Sequence, residues 1–469
     1  METKISPKKI TRIVIVGGGV SARLLVKNLR SLSKKKKDNS IEITLIQSNR
    51  FSEIPFYLTE VLTDKDTFHG NSTNTPIADI DRTVFGVAES CRDGILSVRP
   101  LDEDEEQHNA SIISIPFDVI VCATGSNIST IQATPGQSSK ERQAEIDTLS
   151  KLLTSPNSHV VIGGGGAIGI ELAGDAAEAK KKYSGTGKVT LVCSADRLIS
   201  DATLDASQKA KQYLESLGCQ IYLNERVVSH DQTTTTATEL VLKSGETISC
   251  DAYITAYSRG ANTSWINSSE ENGEQENDDG TSSNPLPPGI LSKQGGSIMV
   301  DDYLCSKAYP KLYALASTND KPTPSIIPHM EEEAHTITIN VLAGTNIKPH
   351  KPPPINAPII YLAGRDYGII VPEHAPKPMG VVCFKWCGFP CNMLLCPCFA
   401  CGVCCGPCDA FFCGWCCGDP SGAGVPKTFA AAKKKGYVRD KIGYEDIGGK
   451  GMKAPKSIEI DRTSAATLS

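Results

Sequence analysis

Cysteine is scarce over most of this 469-residue chain. Only six of its 18 cysteines precede residue 380, and residues 51–90 contain none. This distribution excludes a secreted disulfide scaffold. Residues 1–12 lack the apolar run of a signal peptide, and no glycine follows Met1 to accept a myristoyl group. The body of the chain is therefore predicted to be cytoplasmic.

Positive charge is not in excess either. The chain has 48 Lys and Arg residues against 53 Asp and Glu residues, which gives a formal net charge of −5. Because no basic face is evident, we expect no nucleic-acid partner. The length is sufficient for two or three domains with complete cores.

Glycine, by contrast, is concentrated after two buried-strand sequences. The stretch that starts at His159 opens with a β-branched run, and Gly164, Gly166 and Gly169 then form G-x-G-x-x-G before a predicted helix. In this fingerprint the first glycine allows the turn, the second lets backbone approach a pyrophosphate, and the third lets helix and strand pack closely. The N-terminus of the helix then faces the phosphates. The alternative is a glycine-rich turn without a ligand.

A second copy lies near the N-terminus. The apolar run Ile13–Val16 leads into the G-x-G-x-x-A form of the fingerprint, made by Gly17, Gly19 and Ala22, and a helix-like sequence follows. Two fingerprints in this context predict an α/β protein with two Rossmann-like, three-layer nucleotide-binding domains. A smaller C-terminal region would follow them.

The order of further motifs resembles that of a known family. Ala123-Thr124-Gly125 closes a strand, Glu171 follows the second fingerprint, and a later strand enters Tyr313-Ala314. Over about residues 10–375, this order is similar to the two-dinucleotide-binding-domain flavoproteins, the pyridine nucleotide-disulfide oxidoreductase superfamily. Within it, the chain most resembles the apoptosis-inducing-factor-like group that includes ferroptosis suppressor protein, and next the type II NADH dehydrogenases.

The resemblance implies cofactors and a reaction. The first fingerprint would hold FAD and the second NADH or NADPH, with hydride passing from nicotinamide to flavin and electrons then passing to a quinone-like acceptor. Glu171 matches the family's glutamate near both rings, although a first-turn helix acid favoured by the dipole explains it equally well. The FAD residues implied are Gly17, Gly19, Ala22, Gln47, Ala123, Thr124, Gly125 and Ser317. Those implied for NAD(P)H are Gly164, Gly166, Gly169, Glu171 and Arg197, and no metal site is assigned.

The same resemblance, with the composition, divides the chain into segments. The prediction is a discontinuous FAD-binding domain (10–126 and 294–345), an NAD(P)H-binding domain (127–261), an acidic disordered insertion (262–293), C-terminal strands (346–378), a Cys-rich apolar segment (379–418) and a polar tail (419–469).

The two positions that usually carry a ribose-binding acid have none. The first holds Gln47, which can form hydrogen bonds but supplies no charge, and the second holds Cys193. Without a carboxylate at Cys193, the 2′-phosphate of NADPH would not be repelled, and Arg197 could pair with it. Asp196 favours the opposite preference, so the choice between NADH and NADPH stays open.

The flavin site also departs from the family pattern. Where the family has Gly-Asp, this chain has Ala316-Ser317, and serine lacks the charge-assisted contacts of a carboxylate. Asp320 lies close by in sequence and could substitute. An alternative function is therefore a non-catalytic, poorly flavinated, membrane-associated nucleotide-binding protein.

The cysteine pattern also bears on the electron acceptor. A disulfide reductase needs C-x-x-C or C-x-x-x-x-C beside the flavin, and no scattered pair has either spacing. We therefore expect transfer to a small acceptor without a redox-active disulfide.

The other 12 cysteines crowd into Cys383 to Cys417 among Phe, Trp, Met and Leu. Palmitoylation would give peripheral membrane attachment, since several acyl chains anchor stably. Repeated C-x-x-C spacing allows a metal site instead, and a patch without special function is the third possibility. Three prolines interrupt any membrane-spanning helix: Pro390, Pro397 and Pro407.

Overall fold

The structure of the chain is a computed structural model. It describes residues 10–36, 40–53, 59, 62–63, 72–73, 77, 79–101, 111–128, 131–182, 185–230, 238–267, 286–322, 327–352, 359–364, 367–371 and 382–385.

The described secondary structure alternates strands and helices in both halves of the chain. The strands are β1 Thr11–Val16, β2 Ile41–Gln47, β3 Ser52–Glu53, β4 Ser72–Thr73, β5 Arg82–Arg92, β6 Ile95–Pro100, β7 Ile113–Pro116, β8 Val119–Cys122, β9 His159–Gly163, β10 Lys188–Val192, β11 Gln220–Tyr222, β12 Val227–His230, β13 Thr238–Leu242, β14 Thr247–Cys250, β15 Ala252–Thr255, β16 Leu312–Ala314, β17 Ile359–Leu362, β18 Tyr367–Val371 and β19 Val382–Lys385. The helices are α1 Val20–Lys36, α2 Ser139–Thr154, α3 Ala167–Lys182, α4 Leu204–Ser216, α5 Ser264–Asn267 and α6 Ile327–Ala343, and a 3₁₀ helix spans Ala316–Thr318.

The first fingerprint lies on a seven-stranded sheet of order β16-β8-β1-β2-β5-β6-β7. The strands from β16 to β5 pair in parallel, whereas β6 and β7 extend the sheet as an antiparallel meander. Ile13 and Ile15 are 0% exposed at its centre because helices cover the parallel strands. Helix α6 packs against α1, so residues far apart in the chain share this core.

The second fingerprint lies on a four-stranded parallel sheet of order β11-β10-β9-β15. Helices α2, α3 and α4 supply the apolar side chains of its core, and an antiparallel sheet, β12-β13-β14, packs beside it. Each fingerprint thus follows the first strand of a parallel sheet, as the sequence predicts. The predicted α/β class with two Rossmann-like domains is confirmed.

Two chain segments pass side by side between the two sheets. The amide of Asn127 donates to the Gly260 carbonyl at 2.9 Å, and the Arg259 amide donates to the Asn127 carbonyl at 2.8 Å. A third bond, from the Asn262 amide to the Gly125 carbonyl, is 2.9 Å long. These reciprocal bonds fix the backbone next to Gly125, where the first nucleotide-binding half ends.

Both described ends of the polar stretch 262–293 are structured. Trp265 and Ile266 of α5 are 4% and 1% exposed, and Ile290 is 2% exposed, all within the core of the seven-stranded sheet. Apolar residues inside a polar sequence thus anchor both ends. Residues 268–285 lie outside the described residues.

A three-stranded antiparallel sheet, β17-β18-β19, lies towards the C-terminus. The turn after β17 packs on α3 at Gly174, where an added Cβ would collide with the backbone of Ala363 and Gly364. The backbone of β19 includes Cys383, whereas residues 386–417 of the Cys-rich segment lie outside the described residues. None of the helices described for this chain combines the length and apolar character needed to cross a bilayer.

Candidate functional site

Three glycines, residues 17–19, join β1 to α1 and form a loop that we call the N-terminal cradle. Gly17 makes its first turn. Its φ is +111°, a conformation that side chains rarely adopt, and an added Cβ would collide with the carbonyl oxygen of Ala123. The Ala123 amide in turn donates to the Val16 carbonyl at 2.8 Å. The predicted Gly17 and Ala123 positions are therefore brought together where β1 and β8 end.

Gly19 supplies the open face of the same cradle. An added Cβ there would meet nothing within 4 Å, although the flanking Gly17 and Gly18 positions are crowded. Ala22, in the first turn of α1, is 0% exposed and lets the helix approach the sheet. An open backbone face at a helix N-terminus fits a pyrophosphate.

Gln47 ends β2 beside this cradle. Its Nε2 donates to the Phe51 carbonyl at 3.0 Å, and its Oε1 would lie 2.5 Å from a Cβ added at Gly18. The amide is thus held against the glycine turn, where its carbonyl oxygen can accept a hydrogen bond from a ribose hydroxyl. Gln47 therefore occupies the position of the usual carboxylate but does not supply its negative charge.

Thr124 and Gly125 continue from β8 into the crossing segments. The Thr124 hydroxyl donates to the Asn262 carbonyl at 2.5 Å, and Gly125 has a φ of +72° with open space around its Cβ position. These two predicted residues therefore shape the bend between the two sheets. Thr124 is held by Asn262 of the returning segment.

Ser317 lies in the 3₁₀ helix that follows β16, at the carboxyl end of the same sheet. It is half-buried, and its hydroxyl makes no hydrogen bond to any residue in the described ranges. Ala316, before it, has a φ of +60°, the left-handed conformation that the family's glycine would adopt without strain. The turn is thus kept although both usual residues have changed.

A buried carboxylate that the sequence did not single out supports this turn. Oε2 of Glu333, which is 2% exposed, accepts the Ala316 amide at 2.6 Å and the Asn319 Nδ2 at 3.3 Å. The run of three glutamates at residues 331–333 would ordinarily indicate a solvated helix face. Its position in a helix that is otherwise free of Asp, Lys and Arg was the one available signal.

The Asp320 side chain bonds to the backbone of another loop. Its Oδ1 accepts the Val300 amide at 3.0 Å. This contact ties the loop after the 3₁₀ helix to an earlier segment. The suggestion that Asp320 replaces the flavin-binding acid gains no support from this position, whereas Glu333 lies directly beneath the turn.

The glycines at residues 164–166, between β9 and α3, form a second cradle with the geometry of the first. Gly164 has a φ of +117°, and a Cβ there would lie 2.8 Å from the Ala256 carbonyl oxygen. A Cβ at Gly169 would collide with the Gly164 carbonyl, whereas one at Gly166 would meet nothing within 4 Å. The three predicted glycines therefore have the predicted roles: Gly164 allows the turn, Gly166 leaves the phosphate face open, and Gly169 allows close packing of helix and strand.

Arg197 lies in the loop after β10, but its guanidinium is turned towards its own loop. Nη2 donates to the Ser200 carbonyl at 2.5 Å. Cys193 is buried beneath this loop, and its Sγ contacts the Arg197 carbonyl at 3.6 Å. Burial raises the pKa of the Cys193 thiol, so the position carries no negative charge.

Glu171 is half-buried in the second turn of α3 and accepts a hydrogen bond from another part of the chain. The Thr59 hydroxyl donates to its Oε1 at 2.9 Å. One turn further, the Thr63 hydroxyl donates to Asp175 at 3.3 Å. Two hydrogen bonds, four residues apart on each segment, therefore join the first half of the chain to α3. The sequence gave no signal for either threonine.

The six cysteines before residue 380 are all buried, and none forms a disulfide with another described residue: Cys91, Cys122, Cys193, Cys219, Cys250 and Cys305. Burial raises the pKa of the Cys91 and Cys219 thiols to about 12. Because thiolates are the reactive form, these side chains are poorly suited to disulfide exchange.

Two sheets with parallel central strands, each with a glycine cradle that has an open phosphate face, define a protein with two dinucleotide-binding domains, and both cradles fit the ADP portions of FAD and NAD(P)H. The family model described as "Pyridine nucleotide-disulphide oxidoreductase" matches residues 11–334. The chain belongs to this family, whose cofactors are FAD and NADH or NADPH.

The chain is also similar to individual proteins in sequence or in fold. Ferroptosis suppressor protein 1 of Xenopus tropicalis is 24% identical over 389 residues, 79% of this chain and 90% of that protein. The sulfide:quinone oxidoreductase of Aquifex aeolicus superposes with a TM-score of 0.54 at 16% identity. The superposition covers 80% of this chain and 87% of the Aquifex protein. Reduced Bacillus anthracis CoADR-RHD gives a TM-score of 0.55 at 15% identity, covering 77% of this chain. This chain spans only 61% of that longer protein.

Proposed function

We propose that this chain takes hydride from NADH or NADPH through bound FAD to a quinone-like acceptor, without a redox-active disulfide. The observation that carries the proposal is the pair of open cradles at Gly19 and Gly166, joined through the Thr59–Glu171 contact. Two such cradles on one chain suit two dinucleotides bound at the same time.

FAD, when bound, supplies a ring that accepts hydride and passes electrons on. The chain supplies the positions of the reactants. Gly17 and Gly19 shape the turn for the flavin pyrophosphate, and Gln47 offers an amide oxygen to a ribose hydroxyl. Glu171, oriented by Thr59, holds a carboxylate at the start of α3, on the second cradle.

The choice of acceptor rests on two observations. The buried thiols at Cys91 and Cys219 have raised pKa values, which disfavours a thiol relay. A structural neighbour with the same fold is named a sulfide:quinone oxidoreductase.

The test is a steady-state assay of the flavin-loaded, full-length protein with a short-chain ubiquinone analogue. We expect NADH or NADPH oxidation that depends on the quinone and is at least about tenfold slower in Glu171→Gln. Lys181→Ala, an exposed substitution on the same helix, is the matched control. A flavin-bound protein that oxidises neither nucleotide would contradict the proposal and favour a non-catalytic nucleotide-binding protein.

We also propose that the segment Cys383 to Cys417 attaches the protein to a membrane surface through acylated cysteines. A membrane position would bring the protein to a lipid-soluble acceptor. The test compares the full-length chain with a variant in which all 12 cysteines of the segment are serine. Loss of both palmitate labelling and membrane sedimentation is expected, and unchanged sedimentation would contradict the proposal.

A further inference from the structure

A cleft of about 270 Å³ lies beside the loop that follows β10, and the mechanism proposed above does not use it. Its lining combines two cations with polar groups: Ser194, Asn224, Glu225, Arg226 and Lys243. None of the last four residues is indicated by a sequence motif.

Backbone hydrogen bonds hold this cleft against the end of β10. The Glu225 amide donates to the Cys193 carbonyl at 3.0 Å, and the Asn224 amide donates to the Ala195 carbonyl at 2.9 Å. The Lys243 amide donates to the Arg226 carbonyl at 2.9 Å, which sets both cations on one edge of the β12–β13 hairpin. The two cations are therefore placed by the fold next to Ser194.

The charges in the cleft favour an anion. Both cationic side chains are exposed, and neither the Arg226 guanidinium nor the Lys243 ammonium makes a hydrogen bond or an ion pair with any residue of the described ranges. Glu225 is the only carboxylate in the lining, and its Oε2 accepts the Ser244 amide at 3.3 Å. The lining thus has two cations against one partly engaged carboxylate.

The position of the cleft identifies the anion. In a Rossmann domain, the end of the second strand binds the adenine ribose, where an acid selects the 2′-hydroxyl of NADH and a nearby arginine accommodates a 2′-phosphate. Here β10 is the second strand, and the uncharged pair Cys193-Ser194 follows its last residue. The Arg197 guanidinium points to Ser200, so the available cations come from the neighbouring hairpin.

We propose that Arg226 and Lys243 bind the 2′-phosphate of NADPH and make NADPH the preferred hydride donor. The inference rests on the proposed function, since it names the nucleotide used at the second cradle. Arginine contributes a planar, two-pronged donor to phosphate and lysine a point charge, so removal of both should weaken binding more than removal of either alone.

The test is calorimetric titration of the full-length protein with 2′,5′-ADP and with 5′-AMP, which differ only in the 2′-phosphate. We expect 2′,5′-ADP to bind at least about tenfold tighter, and Arg226→Ala/Lys243→Ala to abolish that difference while 5′-AMP binding is unchanged. Lys188→Ala removes an exposed cation at the opposite end of β10 and should change neither affinity. Glu225→Gln keeps an acceptor for Ser244 and should tighten 2′,5′-ADP binding. Thermal melting checks that each variant is folded.

Equal affinity for the two ligands, or an unchanged preference in the double variant, would overturn the inference. Anaerobic reduction of the flavin separates this failure from failure of the proposed function. Reduction by NADH and NADPH at equal rates contradicts the 2′-phosphate site but leaves the proposed function standing. Tight 2′,5′-ADP binding that needs Arg226 and Lys243, with no flavin reduction, supports the site and contradicts the proposed function.

Discussion

The hydroxyl of Thr59 donates a 2.9 Å hydrogen bond to the Glu171 carboxylate and so connects two parts of the chain that are 112 residues apart. Thr63 and Asp175 repeat the contact one helical turn further. Both carboxylates lie on the helix that starts at the second cradle, and both threonines come from the segment after the first. This double contact gives Glu171 a fixed position between the two nucleotide sites.

Substitution of Glu171 by Gln should slow the reduction of bound flavin by NADPH about tenfold to a hundredfold, because the side chain loses its negative charge and a hydrogen bond from the bound nucleotide to a charged group is worth about 1.5–3 kcal/mol. The Thr59 bond survives in this variant, since Gln still offers an acceptor. Anaerobic stopped-flow absorbance measures the rate, with Lys181→Ala as the control. A wild-type rate would mean that Glu171 only holds α3 against the Thr59 segment and does not act on the bound nucleotide.

Substitution of Glu333 by Ala should lower the flavin content of the purified protein. The buried carboxylate holds the Ala316 amide and the Asn319 side chain, and each lost charge-assisted bond costs about 1.5–3 kcal/mol. The ratio of visible flavin absorbance to protein absorbance measures occupancy. Glu331→Ala, two residues away and half-buried, should keep its flavin. Full flavin content in Glu333→Ala would show that the Ala316–Ser317 turn does not depend on Glu333.

Substitution of Arg142 by Ala should lower the free energy of unfolding by about 3–5 kcal/mol, because it leaves a carboxylate without its buried partner. Arg142 is 1% exposed and contacts Glu53 at 2.7 Å and the Ile131 carbonyl at 3.0 Å. Urea denaturation followed by circular dichroism gives the value. The exposed neighbour Lys140→Ala should change it by less than about 0.5 kcal/mol. Similar losses in the two variants would argue against the buried pair.

Lys180 should make the protein more stable as pH rises through the alkaline range. Burial lowers the pKa of its ammonium from 10.5 to about 8, while Nζ donates to the Ser155 carbonyl at 2.7 Å and the Ser158 hydroxyl at 2.6 Å. Between these two pKa values the unfolded state binds more protons than the folded state, so the free energy of unfolding increases with pH.

Lys180→Met has no ionisable group at this position and so lacks this pH-dependent contribution to the free energy of unfolding. The stability of the wild type relative to Lys180→Met should therefore rise between about pH 8 and pH 10.5, because other titrating groups are common to both proteins. Urea denaturation at several pH values measures the difference. A difference that stays constant or falls across this window would contradict the burial of a charged Lys180.

The parts of the fold that depend on local sequence could be predicted, and those that depend on tertiary contact could not. Strand, glycine turn and helix follow one another in the chain, so Gly17, Gly19, Gly164 and Gly166 could be assigned to their positions. The same holds for Ala123-Thr124-Gly125, which closes a strand.

The contacts that complete the site come from distant segments. Thr59 reaches Glu171 only because its segment packs on α3, and Glu333 supports Ala316 only because α6 packs beneath the turn. Arg226 and Lys243 meet through hairpin pairing that no spacing in the sequence reveals. Arg197 was assigned by its position after β10, but a rotamer that bonds Ser200 directs its charge elsewhere.

The most direct test of the account is the visible absorption spectrum of the purified full-length protein, recorded before and after anaerobic addition of NADPH. We expect a flavin spectrum that bleaches with NADPH, and more slowly with NADH at the same low concentration. A protein that stays colourless after incubation with FAD, or a flavin band that neither nucleotide bleaches, would contradict it.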